Sequence, residues 1–358
     1  MFLTILYLSC LPATVSGDGA ITPSGEGDAD TDTDTDADTD DDTGADTDDD
    51  TGEACGVAVT TLPLQGSVSA YYRGDVEFRF TKPDATAVIE TDIPGSQELS
   101  ADGLTLYWRL SQPLRPETAY FVALDYCSGR VELPFTTSAL GTPISRPDEL
   151  AGRTYELSLG EARFTQPEGL GSLLDSELDW ASLFAHVVRA DDELVILGAV
   201  ARVDDPTTQE YCDVTTEFPG ADFDGSPHFE VGGVGEAYVD MAGVGLPIID
   251  PELSGDFAPD LSYFGGGTVS GMIDTRPLDA DFFDGEEGAM CRTLAALGVE
   301  CEVCPDGASF CLPFVADSIT APLVDVIIVP IDGMDCEGCV EGPPPDATAE
   351  CRQDPDAP

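Results

Sequence analysis

The chain has 358 residues, with 70 acidic against 14 basic side chains and a formal charge of −56. That balance excludes nucleic-acid binding, because phosphate contacts need clustered Lys and Arg, and Lys82 is the only lysine. At 42% hydrophobic the chain can still bury a core, and at roughly 150 residues per domain it has room for more than one.

Residues 1–17 read as an export address. Met1 to Leu8 is an apolar run too short to span a bilayer, which takes about 20 residues, and it suits a secretory h-region without the usual positive n-region. Two processing routes compete, with an unprocessed cytoplasmic protein as the remaining alternative. Leu8-Ser9-Cys10 resembles a bacterial lipobox, which would leave Cys10 as a lipidated N-terminus. Val15-Ser16-Gly17 offers small residues for ordinary signal-peptidase cleavage instead.

Residues 18–54 carry sixteen acidic side chains and no basic one, and the octet ADTDDDTG occurs twice, at 37–44 and 45–52. Such a segment cannot offset its ordering entropy by burial, and its like charges push it open, so a disordered acidic spacer is expected. Its D-x-D-x-D spacing resembles an EF-hand loop. However, Thr43 or Thr51 stands where that loop needs Gly, and the bidentate Glu is missing.

Residues 55–142 alternate short strand patterns with turn signals. Val76–Phe80 alternates apolar and polar, Leu104–Trp108 follows an Asp-Gly turn, and Tyr120–Tyr126 and Val131–Thr137 supply later strands. The strand VEFRFTKP (76–83), LTLYW (104–108), LRPETAYFVAL (114–124) and the terminal PFTTS (134–138) resemble the SbsA-type bacterial Ig-like domain. The resemblance implies a β-sandwich with a structural or spacer role at a cell surface, and it carries over no catalytic residues. Cys55 and Cys127 bracket this domain, and in an exported protein a disulfide between them is the natural reading, with pairing elsewhere as the alternative.

Residues 143–340 read as a larger β-rich domain, a sandwich or a barrel. Strand candidates are Arg153–Leu159, Glu193–Val203, Glu236–Met241, Leu246–Phe257, Leu261–Ile273 and Leu323–Pro330. The Gly265-Gly266-Gly267 run suggests bulges or sharp bends. A helix is expected over Glu286–Leu297, stopped by Gly298, and a second near Leu178–Val187. Residues 341–358 form a Pro/Asp-rich tail. The overall fold class is all-β, an Ig-like sandwich followed by a disulfide-stapled β domain with one or two short helices.

Cys212, Cys291, Cys301, Cys304, Cys311, Cys336, Cys339 and Cys351 join Cys55 and Cys127 to make an even set, which in an oxidising compartment favours disulfides of undetermined connectivity. The competing reading is zinc, since Cys301-x2-Cys304 and Cys336-x2-Cys339 mimic paired thiolate knuckles.

Catalytic signatures fail: the chain has no P-loop, G-x-S-x-G elbow or HExxH. His186 sits in Phe-Ala-His-Val, a packed element where a structural role is expected. His228 closes the loop Asp222-Phe223-Asp224-Gly225-Ser226-Pro227-His228, in which Asp222, Asp224 and His228 are candidate ligands for a hard cation such as calcium. The loop from Asp281 to Glu287 is a similar candidate. No catalytic residue and no other cofactor is expected. The function expected is therefore a non-enzymatic cell-surface or secreted protein for display, adhesion or ligand binding. Its partner would be a surface protein or glycan, and its only membrane contact a lipid at Cys10. The alternative is an exported carboxylate-based hydrolase, or a calcium-binding envelope protein, with its site in the second domain. A purely structural envelope component is a third possibility.

Overall fold

Alternation of apolar and polar side chains sets the first module. In the computed structural model, Val76, Phe78 and Phe80 of VEFRF point into a core while Arg79 points out. The structure describes residues 55–167, 171, 178, 181–202, 205–211, 213–223, 226–232, 236–241 and 244–331. The signal region, the acidic spacer and the tail lie outside them. So do Cys10, Cys212, Asp224, Cys336, Cys339 and Cys351.

Seven strands build the first module: β1 (Val59–Leu62), β2 (Val76–Phe80), β3 (Val88–Thr91), β4 (Gly95–Leu99), β5 (Thr105–Leu110), β6 (Ala119–Tyr126) and β7 (Gly129–Thr136). They form two antiparallel sheets, in the orders β1-β2-β5-β4 and β3-β6-β7. Phe78, Leu106, Val122, Leu124 and Leu133 are essentially inaccessible to solvent and form the core of this sandwich. Cys55 and Cys127 are both disulfide-bonded.

The second module holds β8 (Thr154–Ser158), β9 (Arg163–Gln166), β10 (Ser182–Ala190), β11 (Glu193–Val200), β12 (Thr216–Asp222), β13 (His228–Gly232), β14 (Glu236–Met241), β15 (Val244–Phe257), β16 (Tyr263–Asp274) and β17 (Cys311–Val324). Its main path runs β12-β11-β10-β8-β17-β16-β15-β13, with β14 added to β15 and β9 to β17. The two end strands, β12 and β13, approach each other, so the sheet nearly closes into a barrel. The glycine run 265–267 does not end β16. It lets the strand continue with register shifts on either side of Gly267, as bulges do.

Two helices lie between β16 and β17: α1 (Arg276–Phe282) and α2 (Ala289–Ala296). Ala289, Met290 and Leu294 put one face of α2 into the core, and Gly298, in the left-handed region, follows its end. The buried carboxylate of Asp279 on α1 accepts the Gly288 and Met290 amides, each at 2.7 Å, and so satisfies the start of α2. Disulfides Cys291–Cys301 and Cys304–Cys311 then staple this helix and its loop to the start of β17. Cys301 and Cys304 belong to different bridges, so that pair is spent on structure and not on zinc.

Two expectations fail. The segment from Leu178 to Val187 is not a helix, because Ser182–Ala190 is β10, hydrogen-bonded to β8 on one side and β11 on the other. Leu183, Ala185 and Val187 share one sheet face, and pairing on both edges overrides any helical reading of so short an apolar run. Leu323–Pro330 is a strand only to Val324. Beyond it, side chains replace the ladder: Gln209 bonds both the amide and the carbonyl of Val329, and the Thr154 hydroxyl donates to the Val326 carbonyl.

Candidate functional site

The two histidines occupy contrasting places. His186 lies on β10 with Nδ1 2.9 Å from the Thr154 hydroxyl. That hydroxyl has already donated to Val326, so it accepts from Nδ1 and places the ring proton there. Burial pushes the His186 pKa down, which keeps the ring neutral in its packed setting. This is the structural histidine expected from its neighbours.

His228 opens β13 and stands directly across the ladder from Asp256 of β15. Side chains of a directly opposed pair share a face, so the ring reaches the carboxylate, with Nδ1 3.2 Å from Oδ2. The Asp256 side chain is 0% exposed. Three donors compensate the buried charge: His228, the Tyr71 hydroxyl on Oδ2, and the Tyr72 hydroxyl on Oδ1 at 2.6 Å. Arg73 completes the cluster by donating from Nε to the Tyr72 oxygen at 2.9 Å, while lying 4.0 Å from the carboxylate.

Burial pushes the Asp256 pKa up, but hydrogen bonds from His228, Tyr71 and Tyr72 outweigh it and hold the group below the ordinary carboxylate value. The tyrosines move the other way. Burial and the hydrogen bond to Asp256 push Tyr72 up to about 12, and burial together with the Asp256 charge pushes Tyr71 higher still.

Backbone shape makes this approach possible. A Cβ on Gly266 would lie 2.1 Å from the Tyr71 ring, and one on Gly141 would lie 2.7 Å from the Tyr72 ring. Both glycines have positive φ, at 59° and 92°. The Gly-rich bulge of β16 is thus the seat for the Tyr71 ring, and Gly141, between the modules, is the seat for Tyr72. A second polar contact ties the modules elsewhere. Arg163 of β9 bonds Glu77 of β2 and Asp317 of β17, each at 2.7 Å, which explains why Glu77 is buried in an otherwise alternating strand.

Beside the Asp256 cluster is an open pocket of about 490 Å³. Its polar wall comes from Arg73 of the first module and from Asp222, His228, Glu230 and Glu252 of the barrel. The period of two explains the set. Residues 228 and 230 on β13 and 252 and 256 on β15 face outward, while Phe229, Val231 and Leu253 are buried inward. Glu230 and Glu252 are exposed, on neighbouring strands in diagonal positions, and Ser270 donates to Glu252 at 3.3 Å. The surroundings therefore offer three carboxylates, one imidazole and one guanidinium to a ligand.

Of the residues singled out from sequence, Asp222 and His228 meet in this pocket, and Asp224 lies outside the described residues. The Nδ1 of His228 is engaged by Asp256. Among the described residues there is no group of three or more His, Cys, Asp or Glu side chains arranged to hold a metal ion. The Asp281–Glu287 segment is the end of α1 and the turn before α2, where Glu286 pairs with Arg292 at 2.6 Å. Sequence reading missed Tyr71, Tyr72, Arg73 and Asp256. The available signals were a Tyr-Tyr-Arg triplet, an acid between Gly255 and Phe257, and the glycine run that seats the Tyr71 ring. No family model matches the chain, and no curated protein matches it.

Proposed function

We propose that the chain is a non-enzymatic exported bacterial protein that displays a binding site at the junction of its two modules. The Ig-like reading of the first module makes it a spacer that also contributes Arg73 to the site. The acidic spacer and a lipid at Cys10 would hold this receptor away from the membrane. The observation that carries the proposal is the junction pocket. Both modules line it, its His228 and Arg73 are held by the buried Asp256 cluster, and Glu230 and Glu252 stand exposed on its wall. Such a pre-organised, open, polar surface suits recognition of hydroxyl-rich or cationic groups, as on a glycan or a basic protein surface.

The test is binding of the full chain to a glycan array and to lysine-rich peptides. Glu230→Gln is expected to weaken binding of either probe, and Arg73→Ala binding of a glycan, about tenfold, the scale of losing one hydrogen bond to a charged group. Binding unaffected by both substitutions would remove the pocket from the reading. A second reading, carboxylate-based hydrolysis, is favoured by one specific observation: Asp222, Glu230 and Glu252 converge beside an Asp–His pair. Turnover of a polysaccharide that Glu230→Gln and Glu252→Gln abolish would establish it in place of simple binding. Intact mass of protein from the native host tests the address. An acylated N-terminus at Cys10 supports the anchor, and one near Asp18 makes the protein freely secreted.

A further inference from the structure

The interior of the barrel is unevenly filled. In one half, Tyr155, Phe223, Phe229, Phe257 and Phe264 stack ring against ring, with centroids between 4.7 Å (Phe229–Phe257) and 6.1 Å (Phe223–Phe257) apart. In the other half the inward positions carry smaller side chains. Leu157 pairs with Leu183, Leu183 with Val200, and Ala185 with Gly198, so these share the inward face of Tyr155, the other partner of Ala185. Leu253 and Val269 face them from β15 and β16. The space they leave is a cavity of about 70 Å³.

Its chemistry is one-sided. Among the described lining residues none is charged, and Thr216 brings the single hydroxyl. Nothing inside could hold a polar head, so whatever enters must be hydrocarbon. Size narrows the class further, because apolar cavities of about 150 Å³ stay dry and take benzene or xenon. Half that volume is too small to enclose a ring, whereas a chain can place its last few carbons inside and leave the remainder in an opening. Leu183, Val200, Val214 and Thr216 are only half-buried, so the cavity has a mouth, and its one hydroxyl lies there.

We infer that the barrel binds the end of an unbranched hydrocarbon chain in this cavity, at a site separate from the polar junction pocket. The chain could be a free alkane or the tail of a fatty acid whose carboxylate stays at the mouth by Thr216. The inference does not depend on the junction binding anything.

The experiment is a methyl NMR titration of the full chain with n-pentane and, separately, octanoate. Saturable shifts at Leu157, Val200, Leu253 and Val269, with Leu133 of the first module unmoved, are the expected result. Response to both ligands, or to pentane alone, supports a hydrocarbon site, and response to octanoate alone assigns the fatty-acid source. Ala185→Leu should plug the cavity and weaken binding at least about tenfold. Should that variant not fold, Val269→Leu narrows the same space from the opposite wall and is expected to weaken binding severalfold. Absence of shifts with both ligands, or shifts that survive the plugging substitutions in folded protein, would overturn the inference.

Discussion

The junction and the barrel interior handle burial in opposite ways. At the junction a full negative charge is taken out of water and compensated by three directed hydrogen bonds, from Tyr71, Tyr72 and His228. In the barrel interior nothing is directed. Aromatic rings fill one half by shape, and the other half is left with a cavity of about 70 Å³. The difference teaches where each region is brittle. A charge cluster fails when one partner is removed, because the remaining groups keep their desolvation cost. An apolar void only forfeits the contacts its lining would otherwise make, with no charge or hydrogen bond left unpaired.

The largest effect should come from breaking the cluster at its centre. Asp256→Ala leaves two tyrosine hydroxyls and an imidazole without their acceptor, and a loss of about 3–5 kcal/mol is expected by urea unfolding. A loss below about 1 kcal/mol would mean that water replaces the carboxylate and that the junction is not tightly closed.

Titration should reproduce part of that loss reversibly, from both ends of the pH scale. The Asp256 pKa is held below its ordinary value of 3.8, so its contribution is present above that value and disappears as pH falls through the lower folded value. The Tyr72 pKa is raised from 10.0 to about 12, so its contribution is intact below pH 10 and is lost as pH climbs toward 12. Tyrosine fluorescence across these two windows checks the prediction. Methyl signals of the uncharged cavity wall should stay unchanged until the junction gives way.

Next in size is Gly266→Ala. A methyl group 2.1 Å from the Tyr71 ring cannot be accommodated without moving the ring off Asp256, and the φ of 59° adds strain. About 1–3 kcal/mol of destabilisation is expected, measured by thermal unfolding. Gly298→Ala, at a helix end with open space around it, serves as the control that carries only the backbone strain.

The smallest effect has the opposite sign. Val269→Leu adds one methylene to a cavity wall and should stabilise the chain by about 0.5–1 kcal/mol in the absence of ligand. A net loss would show that the cavity is too rigid to accept it, and that its emptiness is held by the barrel frame.

Much of the local structure was legible because it follows from period and punctuation. VEFRF alternates and is β2, Glu236–Met241 is β14 to the residue, and the helix stopped by Gly298 is α2. The cluster of cysteines does staple that helix and its loop to the sheet, although which sulfurs pair could not be read from spacing. Local pattern failed at 178–187, where a short apolar run fits either a helix or a strand until neighbouring strands claim both of its edges.

The candidate site was legible only in part. His228 and Asp222 stood out as polar groups of one loop, and the pocket does contain both. Asp256 lies 28 residues from His228 and 185 from Tyr71, and no short-range pattern links such positions.

By itself the sequence determined the all-β class, the strand-and-turn rhythm of both modules, one helix and a strongly acidic character. These properties depend on neighbours along the chain or on composition alone. Only the tertiary structure decided that the larger module curls into a near-closed barrel, that Arg163 and Asp256 join the modules, and that one half of the interior stays unfilled. Each of these depends on which distant side chains share a sheet face. That is set by register across strands, where a shift of one residue would turn every side chain to the other side.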